Sequence, residues 1–189
     1  MANWAHTSYR IEGNSIDLQE LIDLCKAFLD KKRPVMDKGA SVEWEGNIIL
    51  ALGIELGTSY IRGFIQSYEL VDGILYIEAE EAWGATDFRK FLENHYENMK
   101  VYYMVEEEDE EIFATNDEEG KYFPCRFAVH SSIDGNDGFE DFKTEAEALQ
   151  YVAKLLKCSS ISLEEIEDWN EEHELDDDYI SVREYKKVE

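Results

Sequence analysis

The hydrophobic positions change period several times along the chain, and each change marks an element. Over Thr7 to Glu12, Tyr9 and Ile11 alternate with Ser8, Arg10 and Glu12, the period-two pattern of a strand. Gly13, Asn14 and Ser15 then offer a turn and a helix cap. From Ile16 the spacing is helical: Leu18, Leu21, Ile22, Cys25, Phe28 and Leu29 recur with Asp17, Glu20, Asp23, Lys26 and Asp30 between them. Lys31, Lys32 and Arg33 suit the negative end of that helix, and Pro34 ends it. Residues 35 to 47 read as an irregular connection, and Ile48 to Leu52 as an apolar run open to either a helix turn or a short strand. Ser59 to Leu70 reads as a strand, Asp72-Gly73 as a hairpin turn and Gly73 to Ala82 as the returning strand, with Ile74 and Tyr76 on one face and Leu75 and Ile77 on the other. A second helix follows from Thr86 to Glu97 on the stripe Phe88, Phe91, Leu92 and Tyr96, then a strand from Lys100 to Val105.

The order β-α-β-β-α-β predicts an α+β fold of ferredoxin-like type, an antiparallel sheet with two helices covering one face, over residues 1 to 105. Residues 106 to 189 predict an α+β extension of pattern ββααβ packed on it. Ile112 to Thr115 and Lys121 to Ser131 read as a hairpin around residues 116 to 120, and residues 134 to 138 as a loop. Thr144 to Lys157 reads as a helix with Ala146, Leu149, Val152, Ala153 and Leu156 on its buried side. Ser162 and Glu165 match a capping box opening a helix to about Trp169, and Tyr179 to Tyr185 reads as a last strand. There are only two prolines and no Gly/Ser-rich linker, so one body with weakly separable halves is expected.

Charge alters the functional picture more than the fold. The 189 residues hold 44 acids against 18 lysines and arginines, a net charge of −26, while 44% hydrophobic residues suffice for a core. Affinity for phosphate comes from Lys and Arg, so direct binding to nucleic acid or to an anionic membrane is disfavoured, and a basic protein surface is the natural partner. The charge is uneven: residues 1 to 105 carry 17 acids and 10 bases, residues 106 to 189 carry 27 and 8. The acids concentrate in Glu106 to Glu111 and in residues 164 to 178, ten acids in fifteen residues. Three cysteines, odd in number and without a CxxC pair, suggest neither a disulfide framework nor structural zinc, but reduced thiols in a cytoplasm. The first residues lack the basic-then-apolar pattern of a signal peptide, and no apolar run reaches the roughly 18 residues a membrane helix needs.

Motifs for catalysis or metal binding are missing. His6, His95, His130 and His173 form no HExxH, and Asp134 to Gly138 fails the spacing of a calcium loop. The acids after His173 could gather a divalent cation, although loop carboxylates usually stay hydrated. Cys125 and His130, five apart on one predicted strand, point to opposite faces, and Cys125 reads as a core residue. No GxSxG, GxxxxGK[ST] or GxGxxG occurs. No enzyme, cofactor or metal site is therefore expected.

Met-Ala-Asn-Trp-Ala-His-Thr followed by Tyr9 to Gly13 and a helix resembles the start of the plasmid- and phage-borne YubB-type proteins, and Ile77 to Gly84 and Glu97 to Tyr103 extend the likeness over roughly residues 1 to 130. The resemblance implies a ferredoxin-like domain, a mobile-element origin and no established chemistry. Ala5 stands where that family usually has a Cys, so no thiol role carries over. Charge and resemblance together predict a non-enzymatic inhibitor that imitates nucleic acid, its carboxylates filling the cationic channel of a host defence nuclease such as a restriction or CRISPR effector. The candidate residues are Glu107, Asp109, Glu111, Glu164, Glu165, Asp168, Glu171, Asp176 and Asp177. The alternative is an accessory protein-protein interaction module without mimicry, recognised through aromatic and apolar surface.

Overall fold

One strand, β1 (Trp4–Glu12), organises the first half of the chain. It pairs antiparallel with β3 (Ile74–Ala82) on one side and β4 (Lys100–Glu107) on the other. The computed structural model describes residues 3 to 107, 112 to 173 and 178 to 188. The chain forms two units, Met1–Asp117 and Glu118–Val188. Both are α+β with antiparallel pairing. The division expected at 105/106 falls inside β4.

In the first unit the strands run in the order β2-β3-β1-β4-β5, with β2 at Gly63–Val71 and β5 at Ile112–Thr115. The helices are α1 (Ser15–Leu29), α2 (Gly46–Ala51) and α3 (Phe88–His95). Residues of one parity in β1, Ala5, Thr7, Tyr9 and Ile11, are completely buried. Tyr9 and Ile11 share a core with Leu75 and Ile77 of β3, Leu21 and Phe28 of α1, Ile49 of α2 and Leu92 of α3. The other parity, His6, Ser8 and Arg10, lies on the opposite face and is polar. Burying one Leu or Ile side chain contributes about 1.5–3 kcal/mol, so the alternation fixes which face the helices cover. α1 starts where the Asn14 carboxamide accepts the Ile16 and Asp17 amides, each at 3.0 Å. The β2–β3 hairpin turns on Asp72 and Gly73, both at positive φ (50° and 79°), as a two-residue turn of type I′ requires.

The second unit has the strand order β7-β6-β8: β6 is Phe127–Ile133, β7 is Asn136–Phe142 and β8 is Tyr179–Glu184. Helices α4 (Glu145–Leu155) and α5 (Leu163–His173) complete it, and Val129, Ala148, Val152, Ile166 and Ile180 form its core. The capping box expected at Ser162 and Glu165 opens α5, and a second one, Thr144 with Glu147, opens α4.

Four expectations are corrected. Ile112 to Thr115 does not form a hairpin with residues 121 to 131; β5 pairs with β4, Val105 opposite Ala114. Asn116 prolongs that ladder with its side chain, accepting the Tyr103 amide at 2.7 Å and donating to the Val101 carbonyl at 2.8 Å. Residues 134 to 138 are not a loop; Asp134 and Gly135, at φ 52° and 74°, turn β6 directly into β7. The order β6-β7-α4-α5-β8 reproduces ββααβ with β6 and β7 as its first two strands, but β5 precedes it and a two-residue strand, β9 (Lys186–Lys187), follows it. On α4 the buried side centres on Ala148, Val152 and Ala153, and Ala146 is exposed. Cys125 precedes β6 and is only half-buried, so the facing argument with His130 does not apply. Among the described residues, no helix is long and apolar enough to cross a membrane.

Asn116 gives a direct test of the corrected pairing. Asn116→Ala removes both bonds to β4 and is expected to lower stability by about 1–3 kcal/mol in urea denaturation. Asn116→Asp keeps the acceptor for Tyr103 and should fall between the two. Indistinguishable midpoints for all three proteins would show that the side chain does not hold β5 in place.

Candidate functional site

Helix α5 places the sequence-predicted acids most clearly. At 100° per residue, Ile166, Trp169, Asn170 and His173 occupy an arc of about 100°. This is the side on which Ile166 is buried and the other three are half-buried. Glu164, Glu165, Glu167, Asp168, Glu171 and Glu172 are all exposed and fill the remaining arc. Glu165 has a structural duty: its carboxylate accepts the Ser162 amide at 2.7 Å and the Ser162 hydroxyl at 3.0 Å. The other five carboxylates make no ion pair or hydrogen bond among the described residues. From 164 to 172 the helix rises about 12 Å, so the six charges are spaced at about one per 2 Å, close to the one per about 1.7 Å of duplex DNA.

The other predicted acids are placed differently. Glu107 ends β4 opposite Ile112, is only 4% exposed and is already engaged, so it does not belong to an exposed array. It continues the buried parity of β4 after Val101, Tyr103 and Val105. Asp109, Glu111, Asp176 and Asp177 lie outside the described residues.

The first unit also holds a buried acidic pair. Glu45 and Glu81 are both 0% exposed in the first unit. Glu81 continues the buried parity of β3 after Leu75, Ile77 and Ala79, a signal present in the sequence. Glu45 immediately precedes α2, in the stretch read as irregular, and carries no such signal. Glu81 Oε1 accepts the Tyr9 hydroxyl at 2.8 Å, the Thr86 hydroxyl at 2.8 Å and the Thr86 amide at 3.1 Å. The same Thr86 Oγ1 lies 2.9 Å from Glu45 Oε2. One hydroxyl carries one proton and can donate to one carboxyl only. The second contact therefore needs a carboxyl proton, and Glu45 supplies it. Burial raises the Glu45 pKa well above its ordinary value, helped by the repulsion of Glu81, against a smaller opposing effect of Thr86. Burial, together with Glu81 and Glu45, also raises the Tyr9 phenol well above its usual range. Gly63 is required beside the pair, because a Cβ there would collide with the Glu45 carboxyl.

The opposite face of the sheet holds a different acid. Glu78 accepts from Arg10 at 2.9 Å and from the Ser8 hydroxyl, with the His6 ring at 3.4 Å. Its hydrogen bond to Glu78 raises the His6 pKa, against the effect of burial. Burial alone would raise Glu78, but His6, Ser8 and Arg10 outweigh it and hold the group below its ordinary value. Ser8 and His6 both engage Glu78, whereas an activated nucleophile needs hydroxyl and imidazole bonded to each other.

A third feature is aromatic. The Arg62 guanidinium lies 5.6 Å from the Trp4 ring and 5.3 Å from Trp83, with Tyr60 6.4 Å from Trp83. Trp83 is 51% exposed and has φ +60°, a left-handed conformation that costs a non-glycine residue roughly 1–2 kcal/mol. Comparison with protein-family models, with curated proteins and with solved structures finds no match.

The protonated pair has a measurable signature. The folded chain keeps on Glu45 a proton that the unfolded chain releases above the ordinary pKa of 4.5, so this group's contribution to stability falls as pH rises from there toward its raised folded value. Glu45→Gln keeps a donor for Thr86 and has no proton to lose. Its stability relative to the parent is expected to grow between about pH 5 and 8 in denaturation titrations. A difference that stays constant with pH would contradict a protonated Glu45.

Proposed function

We propose that this chain is a non-enzymatic acidic binding protein whose α5 face docks on a basic protein surface, in the manner of a nucleic-acid mimic. The observation that carries the reading is the set of six exposed carboxylates on one ordered helix, five of them unpartnered, at about one charge per 2 Å. The energetics point the same way. Glu164/Asp168, Glu167/Glu171 and Asp168/Glu172 are like-charge pairs four residues apart, each destabilising by about 0.2–0.5 kcal/mol. Glu171 and Glu172 also sit at the end of the helix where the dipole disfavours negative charge. An arrangement that weakens its own helix is better explained by a partner than by folding.

The ferredoxin-like reading of the first unit belongs to the same proposal. It is supported by the strand order β2-β3-β1-β4, antiparallel throughout, with α1 between β1 and β2 and α3 between β3 and β4. A mobile-element origin, and a restriction or CRISPR effector as the partner, rest on the resemblance to YubB-type proteins. The partner class is a cationic nucleic-acid-binding enzyme of the host cytoplasm, with no direct role for nucleic acid or membrane. A second reading, an accessory interaction module, is favoured by the exposed Trp4–Arg62–Trp83 cluster, since Trp, Tyr and Arg dominate binding hot spots.

Affinity capture from host lysate separates the two. Under the first reading the retained protein is basic and leaves in a salt gradient, and the triple variant Glu164→Lys, Asp168→Lys, Glu171→Lys captures it at least tenfold less. Undiminished capture by that variant, in a complex that persists in high salt and is lost on Trp83→Ala, would establish the second reading instead. Asp168 has acids three and four residues away on both sides, so Asp168→Gln is expected to raise thermal stability by about 0.5–1 kcal/mol while weakening capture. Lower stability in that variant would show that the acidic face helps the fold.

A further inference from the structure

A groove of about 440 Å³ runs between α5 and β8 within the second unit. Leu163, Ile166, Glu167 and Asn170 line it from the helix, and Tyr179 to Arg183 from the strand. β8 is an edge strand, with β6 on its other side. The β6–β7 hairpin closes on the pair Ile133–Asn136 around a two-residue turn, so Ile133, Ser131 and Val129 direct their backbone bonds to β7. Their opposite numbers on β8, Ile180 facing Ser131 and Val182 facing Val129, therefore direct theirs away from β6.

Ile180 shows what that edge accepts. Its N–H donates to Asn170 Oδ1 and its carbonyl accepts from Asn170 Nδ2, both at 2.8 Å. The Asn170 carboxamide thus stands in for one residue of an additional strand. Two positions on, Val182 turns its N–H and C=O the same way, and neither has a partner among the described residues. Glu184 shares that parity and is exposed. The rim is anionic: Glu167 lines the groove, and Glu164 and Glu171 follow on the same side of α5. Arg183 also lines it but is itself engaged.

We propose that the outer edge of β8, from Val182 to Glu184, is a strand-addition site for a basic, extended segment of the partner protein. The proposal rests on the acidic-binding reading above and specifies the partner: a chain that pairs its backbone with Val182 and sets Arg or Lys against Glu167 and Glu171. Main-chain bonds supply affinity in this mode, and the alternating side chains supply selectivity.

The probe is the acetylated, amidated hexapeptide Arg-Val-Arg-Val-Arg-Val, titrated into isotope-labelled full-length protein by amide NMR. Its comparison is the same peptide N-methylated at every residue, which keeps the charges and the side chains but has no backbone N–H to pair with on either edge. The Val182 and Glu184 amides are expected to shift with the first peptide, and N-methylation should weaken binding at least tenfold. Val182→Pro removes the outward N–H without breaking a bond to β6 and should have the same effect; the ligand-side comparison holds even if that variant folds poorly. Glu167→Lys should weaken binding severalfold. Equal affinity for the two peptides, unmoved Val182 and Glu184 amides, or no binding would overturn strand addition. If equal affinity is accompanied by loss of binding in the α5 triple variant, the acidic-face reading stands and only the strand-addition site fails.

Discussion

A carboxylate can leave water only if it takes donors or a proton with it. In a chain with 44 acids, that constraint decides where almost everything lies. Glu81 is buried against three donors, and Glu45 beside it keeps its proton. Glu78 is half-buried with Arg10, Ser8 and His6 around it. Glu165 folds back onto Ser162. The acids of α5 that have no such partner stay in water, on the side of the helix turned away from Ile166. The charge is thus sorted into carboxylates that serve the fold and carboxylates that burden it.

The burden is the functional clue. Like charges one helical turn apart lower the stability of α5, and no cation among the described residues relieves them. A purely solubilising surface gains nothing from holding its charges on one rigid helix rather than scattering them over loops. A linear array at duplex-like spacing does gain, because a cationic groove built for phosphates meets it without rearrangement. The proposed strand-addition site at Val182 to Glu184, beside the same helix, would add a directional, backbone-mediated contact to an otherwise diffuse electrostatic one.

Much of the architecture was legible in the sequence, for identifiable reasons. β1, α1, the β2–β3 hairpin and α3 each have a clean period and a recognisable boundary: Asn14 at the cap, Asp72-Gly73 at the turn. β7 was not legible because Asn136 to Phe142 is mostly exposed and has no alternating apolar face; the Asp134-Gly135 turn was the only local sign of it. The partner of β5 is not legible because four residues of alternating pattern do not encode one, and the Asn116 side chain that extends its ladder reads in sequence as a loop residue. Of the exposed α5 acids, Glu164, Glu165 and Asp168 fall within the expected helix, whereas Glu171 and Glu172 lie beyond its expected end at about Trp169, because α5 continues to His173. The Glu45–Glu81 pair is not legible, although Glu81 lies on the buried parity of β3, because an acid in a core is normally discounted.

If α5 occupies a surface otherwise used by nucleic acid, as proposed, the partner cannot hold both at once. The most direct measurement is competition between this protein and duplex DNA for the captured partner as salt is raised. The account predicts mutual exclusion, with an apparent association constant for the protein that falls steeply with salt, as that for DNA does. A ternary complex in which the partner holds protein and DNA together, or an affinity indifferent to salt, would contradict it.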